Sequence, residues 1–200
     1  SIGAGSAPIV RGATIDGLIT RGLNLWGNSG GLLSDLEISN ISGSTMAISA
    51  GIWVEDSIPL IEESSIKRSD NGIFVRHITE GWTTRPTFAS VVVEDSMYRG
   101  VMVEQYNHSQ YSNLPLNAIF NDITVRGTGG PGAKTQGLSV AAFDINTSGV
   151  HIDLGLIEDN EAVGLRGYMI DSSTIINRLD MIRNGNPSPV SPYNDRAGMF

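Results

Sequence analysis

Gly22-Leu23-Asn24-Leu25, Gly51-Ile52-Trp53-Val54, Gly72-Ile73-Phe74-Val75 and Gly100-Val101-Met102-Val103 spell one word: glycine, apolar, any residue, apolar. Further copies stand at Gly137-Leu138-Ser139-Val140 and, more weakly, at Gly164-Leu165-Arg166-Gly167, and another begins at Gly198-Met199-Phe200. The steps between these glycines are 29, 21, 28, 37, 27 and 34 residues. A rigid helical repeat would keep one length. Variable steps around a fixed strand word suit stacked β-coils, in which each coil carries its own loop at a corner.

Alternation within the word predicts which side chains face inward. Leu23 and Leu25, Ile52 and Val54, Ile73 and Val75, Val101 and Val103, and Leu138 and Val140 point to the core, because successive strand residues face opposite ways. A second strand precedes each word, as at Leu36-Glu37-Ile38, Ile123-Thr124-Val125 and Leu179-Asp180-Met181, and around Ile66 and Ile157. Between the two strands lies a polar corner with Asn40, Asn71, Asn160 and Asn184. Asparagine tolerates left-handed backbone, so these residues are expected to stack and bond from coil to coil. Nearly every apolar run is three to five residues long at period two, which excludes an amphipathic helical fold.

Composition agrees. With 24 glycines and 8 prolines in 200 residues, and no Gly-X-Y period, the chain calls for many tight turns. A net charge of −8 repels nucleic acid at long range. The chain has no cysteine, hence no disulfide and no Cys-based metal site. No apolar run reaches the ~18–20 residues of a membrane span, and Ser1 to Val10 carry no signal-peptide pattern.

The glycine-led words resemble the pectate lyase-like right-handed parallel β-helix superfamily over roughly residues 13–200. The resemblance implies an all-β solenoid of about six to seven coils, led by Gly22, Gly51, Gly72, Gly100, Gly137, Gly164 and Gly198. Residues 1–200 then form one β-helix segment, expected to be a piece of a longer chain, since neither end supplies a capping helix. The superfamily includes polysaccharide lyases, glycosidases, epimerases and phage tailspike depolymerases. The tailspikes are the best match, which implies a homotrimer acting on a cell-surface glycan outside the cell, on a virion tail or as a secreted protein.

The outward positions, coil by coil, are Asn24 and Trp26, Trp53 and Glu55, Phe74 and Arg76, Met102 and Glu104, Ser139 and Ala141, and Arg166 and Tyr168. An outward aromatic stripe is not left bare in water. It is either a platform for flat sugar faces or a surface covered by a loop or a neighbouring subunit. Glu55, Arg76 and Glu104 occupy one position of three consecutive coils. The two glutamates are then ~9–10 Å apart at backbone level, near the ~6.5–9.5 Å of inverting glycosidases and beyond the ~5–5.5 Å of retaining ones.

On this reading Glu55 and Glu104 are the acid and base, while Trp26, Trp53, Phe74, Arg76, His77, Trp82, Tyr106 and Tyr111 contact substrate. The competing reading makes the glutamates a surface ion ladder and His77, next to Arg76, a solvated corner residue. The carboxyl pairs Glu62-Glu63, Glu94-Asp95 and Glu158-Asp159 read as solvated turns, not dyads. No metal-ligand spacing or phosphate loop is found, and no cofactor is expected. The rivals to a depolymerase are a non-catalytic receptor-binding or adhesin segment, a structural segment of a larger assembly, and a secreted polysaccharide lyase.

Overall fold

A computed structural model describes residues 1–17, 20–43, 49–79, 82–105, 116–129, 140–161, 163–168 and 170–185. These residues hold fifteen strands and no helix. The strands lie in two open sheets, and every pairing is parallel. The first sheet comprises β3 (Arg21–Trp26), β6 (Ala50–Glu55), β8 (Asn71–His77), β10 (Arg99–Gln105), β12 (Ala141–Asn146) and β14 (Val163–Gly167). The second contains β1 (Ile9–Arg11), β2 (Thr14–Asp16), β4 (Leu32–Ser34), β5 (Glu37–Ser39), β7 (Leu60–Lys67), β9 (Thr87–Glu94), β11 (Ile119–Arg126), β13 (His151–Glu158) and β15 (Ile175–Ile182). From β6 onward the chain alternates between the sheets, and each strand pairs with the next strand of its own sheet.

The core fills the space between the sheets. Leu25, Val54, Val75 and Val103 face it from the first sheet, and Ile61, Phe88, Phe120 and Ile152 from the second. Phe88 and Phe120 stack with centroids 5.0 Å apart, and Phe143 meets Phe120 edge-on at the same distance. The leading glycines prove to be packing residues, not turns. A Cβ on Gly22, Gly51, Gly72 or Gly100 would lie 2.7, 2.9, 2.5 or 2.6 Å from the carbonyl oxygen of the next residue in the column. On its other side it would run into Ile38, Ile66, Val93 or Val125 of the second sheet.

Turn conformation is carried mainly by other residues. The residue after each second-sheet arm is left-handed: Gly17, Asn40, Arg68, Asp95, Gly127, Asp159 and Arg183 have φ between 51° and 73°. A second left-handed column, Gly12, Asp35, Glu63, Ser90, Asp122, Leu154 and Arg178, bends the sheet into two arms. The asparagine stack is real but shorter than the sequence predicts. Asn160 Nδ2 donates to Asn184 Oδ1 at 2.7 Å, and Thr128 N donates to Asn160 Oδ1 at 2.8 Å. Asn71 instead begins β8, and Asn40 belongs to the left-handed column, where Arg68 Nε donates to its Oδ1 at 2.8 Å.

One expected word is displaced. In β12, Ala142 lies beside Gly100 and Gly164, so the coil's core residues are Phe143 and Ile145. Val140 precedes the strand, and Gly137, Leu138, Ser139 and Gly198 lie outside the described residues. Lys67, Glu94, Arg126 and Glu158 form a charged column at the arm ends, with Lys67 Nζ 2.7 Å from Glu94 Oε2. Glu94 and Glu158 are thus strand-end ion partners and not free turn residues.

Gly72→Ala forces a methyl against Val93 and the Gly100 carbonyl. It should cost ~1–3 kcal/mol and lower the thermal midpoint by ~2–4 °C per kcal/mol, as calorimetry will read. An unchanged midpoint would show that the column is slack.

Candidate functional site

The outward face of the first sheet presents two neighbouring columns. Asn24, Trp53, Phe74, Met102, Asp144 and Arg166 form one, and Trp26, Glu55, Arg76, Glu104 and Asn146 the other. The sequence therefore aligned Trp53, Phe74 and Met102 correctly, but Ser139 and Ala141 give way to Asp144 and Asn146.

Accessibility corrects the aromatic stripe. Trp53 is 1% exposed and Phe74 4%, and with Met102 and Ala50 they form a closed cluster separate from the main core. Their rings stack at 4.2 Å with planes 2° apart, a geometry worth ~0.5–1.5 kcal/mol beyond area burial. The Arg21 guanidinium caps the Trp53 ring, 3.8 Å from its centroid. No sugar ring reaches either face in this arrangement. Trp26 and Trp82, at 44% and 40% exposure, remain open. Trp82 lies over Gly27, the residue after Trp26, since a Cβ there would come within 3.5 Å of its ring. The accessible tryptophans thus sit at the Glu55 end of the face, while Tyr168, also exposed, follows β14 at the other end of the sheet. Tyr106 and Tyr111 lie outside the described residues.

The carboxylates are half-buried. Trp53 Nε1 donates to Glu55 Oε2 at 3.3 Å, which fixes one side of that carboxylate. Arg76 Nε lies 3.4 Å from Glu104 Oε1. Burial pushes the Glu104 carboxyl above the ordinary glutamate range, against Arg76 and Arg99, which pull it down, and with Asp144, which adds to the rise. A carboxyl held protonated beyond its usual range is suited to donate a proton.

Beside this row, sequence reasoning missed Asp144. It is buried, and its carboxylate takes a hydrogen bond from Arg99 Nε at 3.1 Å and another from Arg166 Nε at 3.1 Å. Arg166 Nη2 also donates to Asp144 Oδ2. The register hides it: Ala142 stands where the neighbouring strands carry the leading glycine, and the nearest Gly-apolar-x-apolar word begins at Gly137.

His77, read either as a substrate contact or as a solvated corner residue, is instead buried, and Asp56 is buried beside it. His77 Nδ1 lies 3.0 Å from Asp56 Oδ1 and 2.8 Å from Thr84 Oγ1, and Ile78 N donates to Asp56 Oδ1 at 2.9 Å. Burial alone would raise the Asp56 carboxyl, but bonds from His77, Thr79 and Ile78 outweigh it and hold the group below the usual aspartate range. Asp56 thereby fixes the imidazole at its Nδ1 edge.

Comparison with known proteins yields no relative. No protein-family model, curated protein or solved structure matches the chain. Among the described residues, no three His, Asp or Glu side chains gather as metal ligands, and no helix is long and apolar enough to cross a membrane.

Two measurements check this geometry. Asp144→Ala leaves Arg99 and Arg166 facing each other without their shared carboxylate, and should cost ~3–5 kcal/mol in denaturant unfolding. Glu104 has a raised native pKa, so it favours folding while protonated, below its ordinary value. That contribution is lost as pH rises through the native value. Glu104→Gln should flatten the stability–pH curve across that interval, and an unchanged curve would contradict the burial assigned to Glu104.

Proposed function

We propose that the chain is a segment of a right-handed parallel β-helix, of the pectate lyase-like kind, whose outward first-sheet face binds and cleaves a polysaccharide. The handedness follows the general rule for parallel crossovers, and the alternation of strands between two parallel sheets supports the β-helix reading. One observation carries the function: two exposed tryptophans adjoin an outward row of half-buried Glu55, Arg76 and Glu104.

The binding mode differs from the full aromatic stripe read in the sequence. Trp26 and Trp82 offer the flat apolar surfaces, while Trp53 and Phe74 form the rigid bed beneath the acidic row. Glu104, with its raised affinity for a proton, is the general acid that protonates the departing glycosidic oxygen. Glu55, two strands away at ~9.6 Å of backbone spacing, is the base that activates water from the opposite side, with inversion. Arg76 lies between them in register and orients the sugar hydroxyls. His77, held by Asp56, supports the end of the same strand. The same reading includes an extracellular setting and assembly as a homotrimer.

A second reading draws on the existing ties of these carboxylates. Glu104 is already paired with Arg76, and Glu55 already accepts from Trp53 Nε1, which favours a face that binds glycan without cutting it.

Incubation with a panel of cell-surface polysaccharides, followed by sizing and reducing-end assay, separates the two. Cleavage that falls ~10²–10⁴-fold in Glu55→Gln and Glu104→Gln, with the fold intact, supports the hydrolase. Binding without shortening supports the second reading. Full activity in either variant rejects the assignment of that residue.

A further inference from the structure

A separate cleft opens where the chain enters the second sheet. Arg85, Asn117, Ile119, Gly149 and His151 line a cavity of about 220 Å³. The register explains its shape. Ile119 lies beside His151 and Thr87, so the residues two places earlier, Arg85, Asn117 and Gly149, fall at equivalent positions of three successive coils. Gly149 contributes no side chain, with φ 79°, and leaves a notch next to His151. Asn117 lies between Arg85 and Gly149 in that column, and the next strand position on the same side brings Ile119 and His151 to the cleft.

The charge here is unusual for a chain of net charge −8. Arg126, Arg166, Arg178 and Arg183 are each engaged by carboxylates. Among the described residues Arg85 makes no ion pair and no carboxylate lines the cleft, and both Arg85 and His151 are exposed. An open guanidinium offers a planar fork that matches a carboxylate. The imidazole supplies a further polar edge, and Ile119 suits a C–H face. The volume is below the ~300–1,000 Å³ of pockets for drug-sized ligands. It suits one small ring, not a chain.

We propose that this cleft is a second binding site, for a single carboxylated sugar unit such as a uronate. Arg85 engages the carboxylate, His151 bonds to a ring hydroxyl, and Ile119 packs against the ring. The negative charge of the whole protein disfavours long polyanions, so an isolated acidic residue or chain terminus is the fitting ligand. The site does not depend on Glu55 or Glu104, so it stands or falls apart from the proposed cleavage.

Titration of the whole chain with D-galacturonate, D-galactose and inorganic phosphate, read by NMR at the His151 ring, tests it. The His151→Gln variant identifies the signal. Galacturonate should give a saturable shift, galactose and phosphate much weaker ones, and Glu104→Gln should leave the response unchanged. Arg85→Gln, at an exposed position, should weaken binding about tenfold or more. No shift with galacturonate, an equal response to phosphate, or an undiminished response in Arg85→Gln would overturn the proposal.

Discussion

Where Gly22, Gly51, Gly72 and Gly100 stack, the backbone of the first sheet lies against Ile38, Ile66, Val93 and Val125 of the second, with no space left for a side chain. That close approach sets the rest of the architecture. The sheets converge at one edge of each strand, so the next alternate positions must fill the widening gap with Leu, Ile, Val and Phe. The residues between them are forced outward into straight columns. The glutamate and tryptophan rows follow from this placement, because parallel pairing in register repeats every outward position one strand further on.

The outward columns show how a parallel stack can keep charge on a partly buried surface. Asp144 sits between Arg99 and Arg166, and Arg76 sits beside Glu104, so opposite signs mostly alternate from strand to strand. The exposed arm ends follow the same rule, with Lys67, Glu94, Arg126 and Glu158 in sequence. Like charges stacked at this spacing would repel. At the outer corners the salt contribution is modest, because solvent screens it. At Asp144 the attraction is less screened but is offset by desolvation, so the large effect is the cost of removing one partner and leaving the others unpaired.

Most of the fold was legible because period-two alternation and a recurring glycine survive large changes in loop length. The failures have physical causes. Ala142 fits the narrow column in place of glycine, so the strand at Ala141–Asn146 carried no glycine marker, and Asp144 was hidden with it. Facing was readable for Trp53 and Phe74, but depth was not, since a sequence gives the side of a strand and not what lies over it. His77 followed the strand alternation to a corner, while its burial depends on Asp56 and Thr84, which are 21 and 7 residues away. Asparagine was a sound marker of stacking at Asn160 and Asn184. It misled at Asn71, whose amide donates to the Ser49 carbonyl from within a strand.

Between Gly100 and Ala142 the chain runs 42 residues, against 21 from Gly51 to Gly72, yet both pairs sit side by side in the same column. Corner length and strand alignment are therefore uncoupled in this architecture. A corner can gain a whole loop, and with it new surface chemistry, while the strands beyond return to place. Loss of a single residue within a strand would instead turn every later side chain of that strand inside out. Insertions that alter the surface are thus absorbed at the corners, and the strands are left to hold the pattern.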